Sequence, residues 1–215
     1  MISERLPYHP TPQSSNTIKT VEALLTPENS ELAAWHQNYI LGHKNRIALD
    51  LDITQNHVPE NARILEFGSI PLLLTKSLQL SNYDVTGVDI APERYTNVLS
   101  RLGVDVIKCN IEVERLPFAD NSFDAAIFNE LFEHLRINPI FTLTEVLRIL
   151  KPGGVLMLST PNLRSIVGIK NFLFKNKAYS CSAKIYKEYK KLETLGHMGH
   201  VREYTTLEVS SFLRS

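Results

Sequence analysis

Apolar and polar positions alternate in blocks along most of this chain. Short apolar runs at 63–67, 84–89, 105–109, 123–128 and 154–159 have the length of strands. Between them, stretches at about 71–81, 92–102 and 138–150 carry apolar residues at helical spacing. Short apolar runs bounded by turn formers read as buried strands, and spacings of three and four residues read as amphipathic helices. Alternation of the two predicts a Rossmann-like, doubly wound α/β fold, with a mainly parallel sheet and helices on both faces. Ahead of it, Trp35, Tyr39, Ile40, Ile47 and Leu51 recur at roughly helical intervals and predict a helical segment over 21–58. Thr26-Pro27-Glu28 suits its start, and Gly42 is expected to break it into two helices. Residues 1–20 are rich in Pro, Ser, Thr and Asn, so an irregular arm is expected there.

The chemistry falls at strand ends. Arg63 to Phe67 runs into Gly68, whose backbone freedom suits a tight turn, and the second apolar run closes on Asp89. Strand, glycine turn, helix, strand, then a carboxylate about twenty residues on is how such a sheet cradles an adenosine-containing cofactor. The carboxylate is placed to accept hydrogen bonds from two ribose hydroxyls.

Composition narrows the function. The 215 residues suit one domain, expected over 59–215, with an appended segment. Formal net charge is +0, so no global basic field argues for nucleic acid. Cys109 and Cys181 are far apart and imply neither a disulfide framework nor a metal site. No apolar run has the ~20 residues of a membrane span, and no signal-peptide pattern opens the chain, so a cytoplasmic location is expected. One region stands apart: between Asn162 and Glu193 eight basic residues face two acidic ones, interleaved with Ile166, Val167, Phe172 and Phe174. That lid-like insertion, about 162–195, is either a solvated face or a cationic, partly apolar cover. Through 164–191 it could make peripheral contact with anionic lipid or phosphate.

Six blocks then carry a resemblance. They are Ile64-Leu65-Glu66-Phe67-Gly68, Val85 to Ile90, Asn121-Ser122-Phe123-Asp124, Asn129 to Leu135, Leu150-Lys151-Pro152-Gly153-Gly154 and Gly199 to Thr205. In this order they are similar to the class I S-adenosylmethionine-dependent methyltransferases of the small-molecule type. The resemblance implies S-adenosyl-L-methionine as cofactor and a small-molecule acceptor methylated on oxygen or nitrogen, with a sugar or anionic envelope precursor preferred. It implies that Gly68 and Ser69 approach the methionine end of the cofactor, that Glu66 and Asn129 meet its ammonium group, and that Asp89 holds the ribose. Ile90 would pack on the adenine, Asn110 would face the adenine amino group, and the Ile111 amide would meet a ring nitrogen.

The chain departs from the family where Ile70 and Leu72 replace glycines, making the first motif glycine-poor. A left-handed backbone there costs a side-chain-bearing residue roughly 1–2 kcal/mol, so the turn is expected to differ, with Pro71 in the first turn of the next helix. The resemblance also implies two further C-terminal strands, for which the sequence has no residues. Strand five would then be an edge open to self-association. His134 and His200 are the candidate catalytic bases, beside Glu133 and His197. No carboxylate in the sequence pattern completes a metal set around His197 and His200, so none is expected. The rival reading is a catalytically degenerate scaffold of the same fold. A nucleic-acid methyltransferase is weaker still, since no Asn/Asp-Pro-Pro-Tyr pattern follows strand four.

Overall fold

The computed structural model describes residues 9–25, 30–175, 181, 184–195 and 197–215. Its centre is a five-stranded, wholly parallel sheet in the order β3-β2-β1-β4-β5. The strands are β1 (Arg63–Phe67), β2 (Asp84–Asp89), β3 (Val106–Lys108), β4 (Phe123–Asn129) and β5 (Leu150–Ser159). Four of the five expected strands are matched within about a residue; β5 begins earlier, through the Lys151-Pro152-Gly153-Gly154 turn. From β1 the order runs outward in both directions, so strand order reverses between β1 and β4. That reversal leaves a crevice at the carboxyl ends of the strands.

Side chains alternate across the sheet with period two. Ile64, Ala125 and Ile127 face one apolar layer, while Leu65, Phe67, Ala126 and Phe128 face the other. The first layer is closed by α1 (Pro12–Leu24), α2 (Ser30–His57) and α3 (Leu73–Leu80). The second takes α5 (Pro139–Ile149) and Phe132, against which Tyr204 and Phe212 pack. Burying this many aliphatic and aromatic side chains, at about 25 cal/mol per Å² of apolar surface, is the main force holding the layers together. Between these elements lie α4 (Thr96–Leu102), α6 (Ile166–Lys175), α7 (Ile185–Leu195) and α8 (Thr206–Phe212).

Three sequence expectations change. The arm expected over 1–20 is helical from Pro12, while residues 1–8 lie outside the described residues. Its polar residues form the cap: Thr11 Oγ1 accepts from the Ser14 amide at 3.2 Å. The buried Asp52 carboxylate in turn takes hydrogen bonds from the Thr11 amide and hydroxyl and from the Ser14 hydroxyl, at 2.6–2.7 Å. Ile18, Val21 and Leu25 then give α1 the apolar stripe that composition hid. Gly42 breaks nothing, since α2 runs through it as one helix of 28 residues. The start expected at Thr26-Pro27-Glu28 lies outside the described residues.

The loop after β1 also differs. Pro71 is not in the helix; it follows a cis Ile70–Pro71 bond, and Leu72 takes the left-handed backbone (φ 72°) as the N-cap of α3. The left-handed positions are therefore Gly68 (φ 66°) and Leu72, and Ile70 avoids that region. Leu72 is fully buried, and its packing compensates for a backbone that leucine disfavours.

Candidate functional site

At the reversal of strand order a cleft of about 640 Å³ opens, floored by the ends of β1, β2 and β4. Asp89, Ile90, Asn110 and Ile111 form one wall, Asn129 and His134 another, and Trp35 and Tyr39 of α2 a third. A smaller hollow adjoins it under Gly68, lined by Arg46, Asp50, Glu66, Ser69 and Asn129. The structure thus brings the eight predicted cofactor residues to one cleft and its annex.

The annex is built from unsatisfied polar groups. Glu66 Oε2, Ser69 Oγ and both polar atoms of the Asn129 carboxamide are buried without a hydrogen-bond partner. Orphaned polar atoms of this kind are uncommon and costly in a folded protein. Burial pushes the Glu66 carboxyl up to about 8, against the Thr75 hydroxyl that favours its charged form. Asp50 is raised to about 6 for the same reason, opposed by Arg46 at 3.3 Å. Asn129 lies close enough to favour the charged Asp50, though neither of its polar atoms completes a well-formed hydrogen bond. An ammonium group with a carboxylate beside it would satisfy this set.

Asp89 closes β2. One carboxylate oxygen accepts from the Ala91 amide at 2.9 Å and the other from the Ile70 amide at 3.3 Å. Burial raises its pKa, and those two amides oppose the shift. The Ile70 contact joins the altered loop directly to Asp89. The Gly68 and Ser69 amides point elsewhere, donating to the Val88 carbonyl at 2.8 and 3.3 Å. What this turn offers the cleft is therefore the bare Cα of Gly68 and the Ser69 hydroxyl, not the amides. Gly87 is part of the same device, because a Cβ there would lie 2.5 Å from Ser69 Oγ. The Asn110 side-chain oxygen accepts from the Glu112 amide at 3.2 Å, and its second lone pair remains for a ligand.

At the far end of the cleft the residues come from distant parts of the chain. His134 follows β4 in a short 3₁₀ turn, Phe132–His134, and its Nδ1 donates to the Met198 carbonyl at 3.0 Å. Burial lowers its pKa, while the Met198 and Gly199 backbone works the other way. His200 stands edge-on to it, with ring centroids 4.9 Å apart. Between them lies the fully buried Glu133, whose Oε1 is 3.7 Å from His200 Nε2 and 4.0 Å from His134 Nε2. Burial lifts Glu133 to about 7. The expectation of no metal concerned His197 and His200; the structure instead groups Glu133 with His134 and His200. Arg202 is engaged within the chain, donating to Glu208 at 2.6 Å and lying over the Tyr204 ring.

The family profile described as a methyltransferase domain matches residues 65–158, from within β1 to within β5. That match takes in 94 of the chain's 215 residues, a little under half, and includes the strand ends that floor the cleft. The chain's fold is that of the class I, S-adenosylmethionine-dependent enzymes. A SAM-dependent methyltransferase of Thermotoga maritima superposes with a TM-score of 0.59 at 22% identity, covering 86% of this chain and 76% of its own. One from Methanosarcina mazei gives 0.53 at 22% identity, covering 75% and 81%. Among curated proteins, a ubiquinone biosynthesis O-methyltransferase of Xanthomonas oryzae is 35% identical over 106 residues, which is 47% of this chain and 44% of that protein. The Xanthomonas campestris protein of that name is 32% identical over 123 residues, 55% of this chain and 50% of its own. The chain thus spans about half the length of the curated relatives it matches. The cofactor of methyltransferases of this fold is S-adenosylmethionine, and the orphaned atoms of the annex fit its ammonium and carboxylate end.

Sequence reasoning missed the contribution of α2 to this cleft. Trp35 and Tyr39, stacked at 5.4 Å, were read as helix core, although Trp35 is half-exposed and faces the cleft. Arg46 and Asp50 continue the same face, seven and eleven residues after Tyr39. A polar-aromatic stripe i, i+4, i+11, i+15 was the signal available.

Proposed function

We propose that the chain binds S-adenosylmethionine in this cleft and transfers its methyl group to a small-molecule acceptor. The observation that carries the reading is the group of orphaned buried atoms on Glu66, Ser69 and Asn129, one strand away from Asp89. Glu66 and Asn129 would hold the ammonium group, and Asp89, with two backbone amides already fixing its geometry, would accept from the ribose hydroxyls. Ile90 and Ile111 would flank the adenine, with Asn110 at its edge. The cofactor supplies an activated methyl on a sulfonium. The protein has to align the acceptor, exclude water and take a proton from it. His134 lies on the cleft wall with its pKa lowered by burial, so at neutral pH its ring is uncharged and able to receive that proton. The acceptor atom we favour is oxygen, because the curated relatives are named as O-methyltransferases.

The experiment is a calorimetric titration of the chain with S-adenosylhomocysteine, beside Asp89→Ala. Micromolar binding lost in the variant supports the reading. A folded chain that binds nothing overturns the reading for this chain.

For the acceptor's setting, α6 and α7 are the relevant elements. Ile166, Val167, Leu173 and Phe174 of α6 are 65–85% exposed, and Lys187, Lys190 and Lys191 lie on α7, with Lys191 reaching the cleft wall. Among the described residues no helix is long and apolar enough to cross a membrane. An exposed apolar helix followed along the chain by one with three lysines, two of them paired with Glu188 and Glu193, suits shallow contact with an anionic lipid surface, and so an acceptor that is itself lipid-borne or anionic.

A further inference from the structure

We propose that Glu133, His134 and His200 form a site for one first-row divalent cation. Their ligand atoms lie within 4.8 Å of one another. Glu133 has no solvent-exposed side-chain surface; its Oε2 accepts from the Thr160 hydroxyl at 2.9 Å, and its Oε1 has no hydrogen-bond partner. That unpartnered oxygen faces the Nε2 atoms of both histidines, at 3.7 and 4.0 Å.

The proton positions sharpen the case. His134 Nδ1 sits 3.0 Å from the Met198 carbonyl, which can only accept, so the hydrogen is on Nδ1 and Nε2 presents a lone pair. His200 stands between two carboxylates, its Nδ1 3.5 Å from Glu203 and its Nε2 3.7 Å from Glu133 Oε1. The Nε2 atoms of both rings and the unpartnered Glu133 oxygen are thus close neighbours. A cation held between them would give Glu133 Oε1 the partner it lacks. Ligand distances near 2.0–2.1 Å require donor separations of about 3–4 Å, and the two from Glu133 Oε1, 3.7 and 4.0 Å, fall in that range. The carbonyl and carboxylate behind the two rings are the outer partners that metal-bound histidines use to fix ring orientation. Two nitrogens and one oxygen favour Zn²⁺, Co²⁺, Fe²⁺ or Mn²⁺ over Mg²⁺ or Ca²⁺.

Because His134 is also on the cleft wall, the cation would stand at the acceptor's end of it. There it would lower the pKa of an acceptor hydroxyl and hold its oxygen in line for transfer, taking over the part of His134, whose free lone pair it would occupy. This role rests on the methyl-transfer reading; the cation site itself does not.

The test is titration of the tag-free 215-residue chain with Zn²⁺ by calorimetry and with Co²⁺ by visible absorption. His200→Ala and Glu133→Gln are titrated alongside, with circular dichroism to show that each is folded and S-adenosylhomocysteine binding measured in parallel. One equivalent bound at micromolar or tighter affinity, weakened at least ~10-fold in both variants, is the expected result. If Glu133→Gln does not fold, His200→Ala decides alone. A wild-type chain that takes up neither ion, or variants that bind as well as wild type, overturns the site. Cation uptake without S-adenosylhomocysteine binding keeps this inference and removes the methyl-transfer reading; the reverse removes only the cation.

Discussion

At one end of the cleft the polar groups hang from consecutive strand ends; at the other they are gathered from turns far apart in the chain. Glu66, Ser69 and Asp89 sit on a single strand–helix–strand unit, held by the parallel β1–β2 register and by the Ile70 amide on Asp89. Glu133, His134 and His200 meet only because the segment after β5 folds back, with the Val201 amide donating to the Glu133 carbonyl at 2.8 Å. The first arrangement is fixed by backbone pairing, the second by side chains and a returning loop. Geometry fixed by strand pairing is shared among proteins that bind the same cofactor. Geometry fixed by a returning loop is free to vary with the acceptor.

The largest effect expected from breaking this division is on the strand side. Asp89→Ala removes charge-assisted hydrogen bonds worth about 1.5–3 kcal/mol each, so S-adenosylhomocysteine affinity should fall roughly a hundredfold. His200→Ala should leave that affinity within about threefold of wild type, since His200 borders neither Asp89 nor the annex. Calorimetry on both variants measures the separation. Equal losses would mean that the two ends act as one unit.

What could be read from sequence follows the same division. Asp89 and Gly68 were legible because strand-end chemistry within a strand–helix–strand unit depends on local spacing. Glu133 was visible only as a neighbour of His134; its place between two histidines is set by a loop some sixty-five residues on, which no periodicity encodes. The Leu72 turn was half legible. Ile70 and Leu72 signalled a changed loop, but only the burial of Leu72 shows which of them takes the left-handed backbone. α1 was missed because a capping cluster of Thr, Pro and Ser has the composition of a disordered arm.

A second effect concerns the annex. Glu66 has its folded pKa raised from 4.5 to about 8, with Asp50 and Asp89 the facing carboxylates and Thr75 its hydroxyl partner. Between these values the folded chain holds a proton that the unfolded chain has released. Stability is therefore highest below pH 4.5 for this group, falls as pH rises through the window, and levels above 8. The unfolding free energy of wild type minus that of Glu66→Gln should decline by about 2 kcal/mol across it, only part of the full linkage because the site relaxes. Urea denaturation of both chains at several pH values gives the difference, and a flat one would show Glu66 ionised throughout.

On the loop side, replacing Ile166 and Phe174 with Ser removes two of the most exposed apolar side chains of α6. Flotation with vesicles rich in anionic lipid should weaken about tenfold, by the loss of partly inserted apolar surface. S-adenosylhomocysteine affinity should stay as it was. Flotation equal to wild type would remove α6 from any lipid contact and leave the lysines of α7 as a solvated face.

The smallest effect tests whether α2 is part of the scaffold or of the site. Gly42 lies mid-helix and exposed, and an added Cβ meets nothing within 4 Å. Glycine in a helix interior costs about 0.5–1 kcal/mol relative to alanine, chiefly through unfolded-state entropy. Gly42→Ala should therefore stabilise the chain by that amount, read by thermal or chemical denaturation. Tyr39 on the cleft wall and Arg46 in the annex lie three and four residues to either side of it. If α2 only frames the cleft, ligand affinity should stay constant or rise slightly as the helix stiffens. A stabilised variant with weakened S-adenosylhomocysteine binding would mean that α2 must flex at Gly42 to admit the cofactor, and the strand side of the cleft would no longer be rigid by construction.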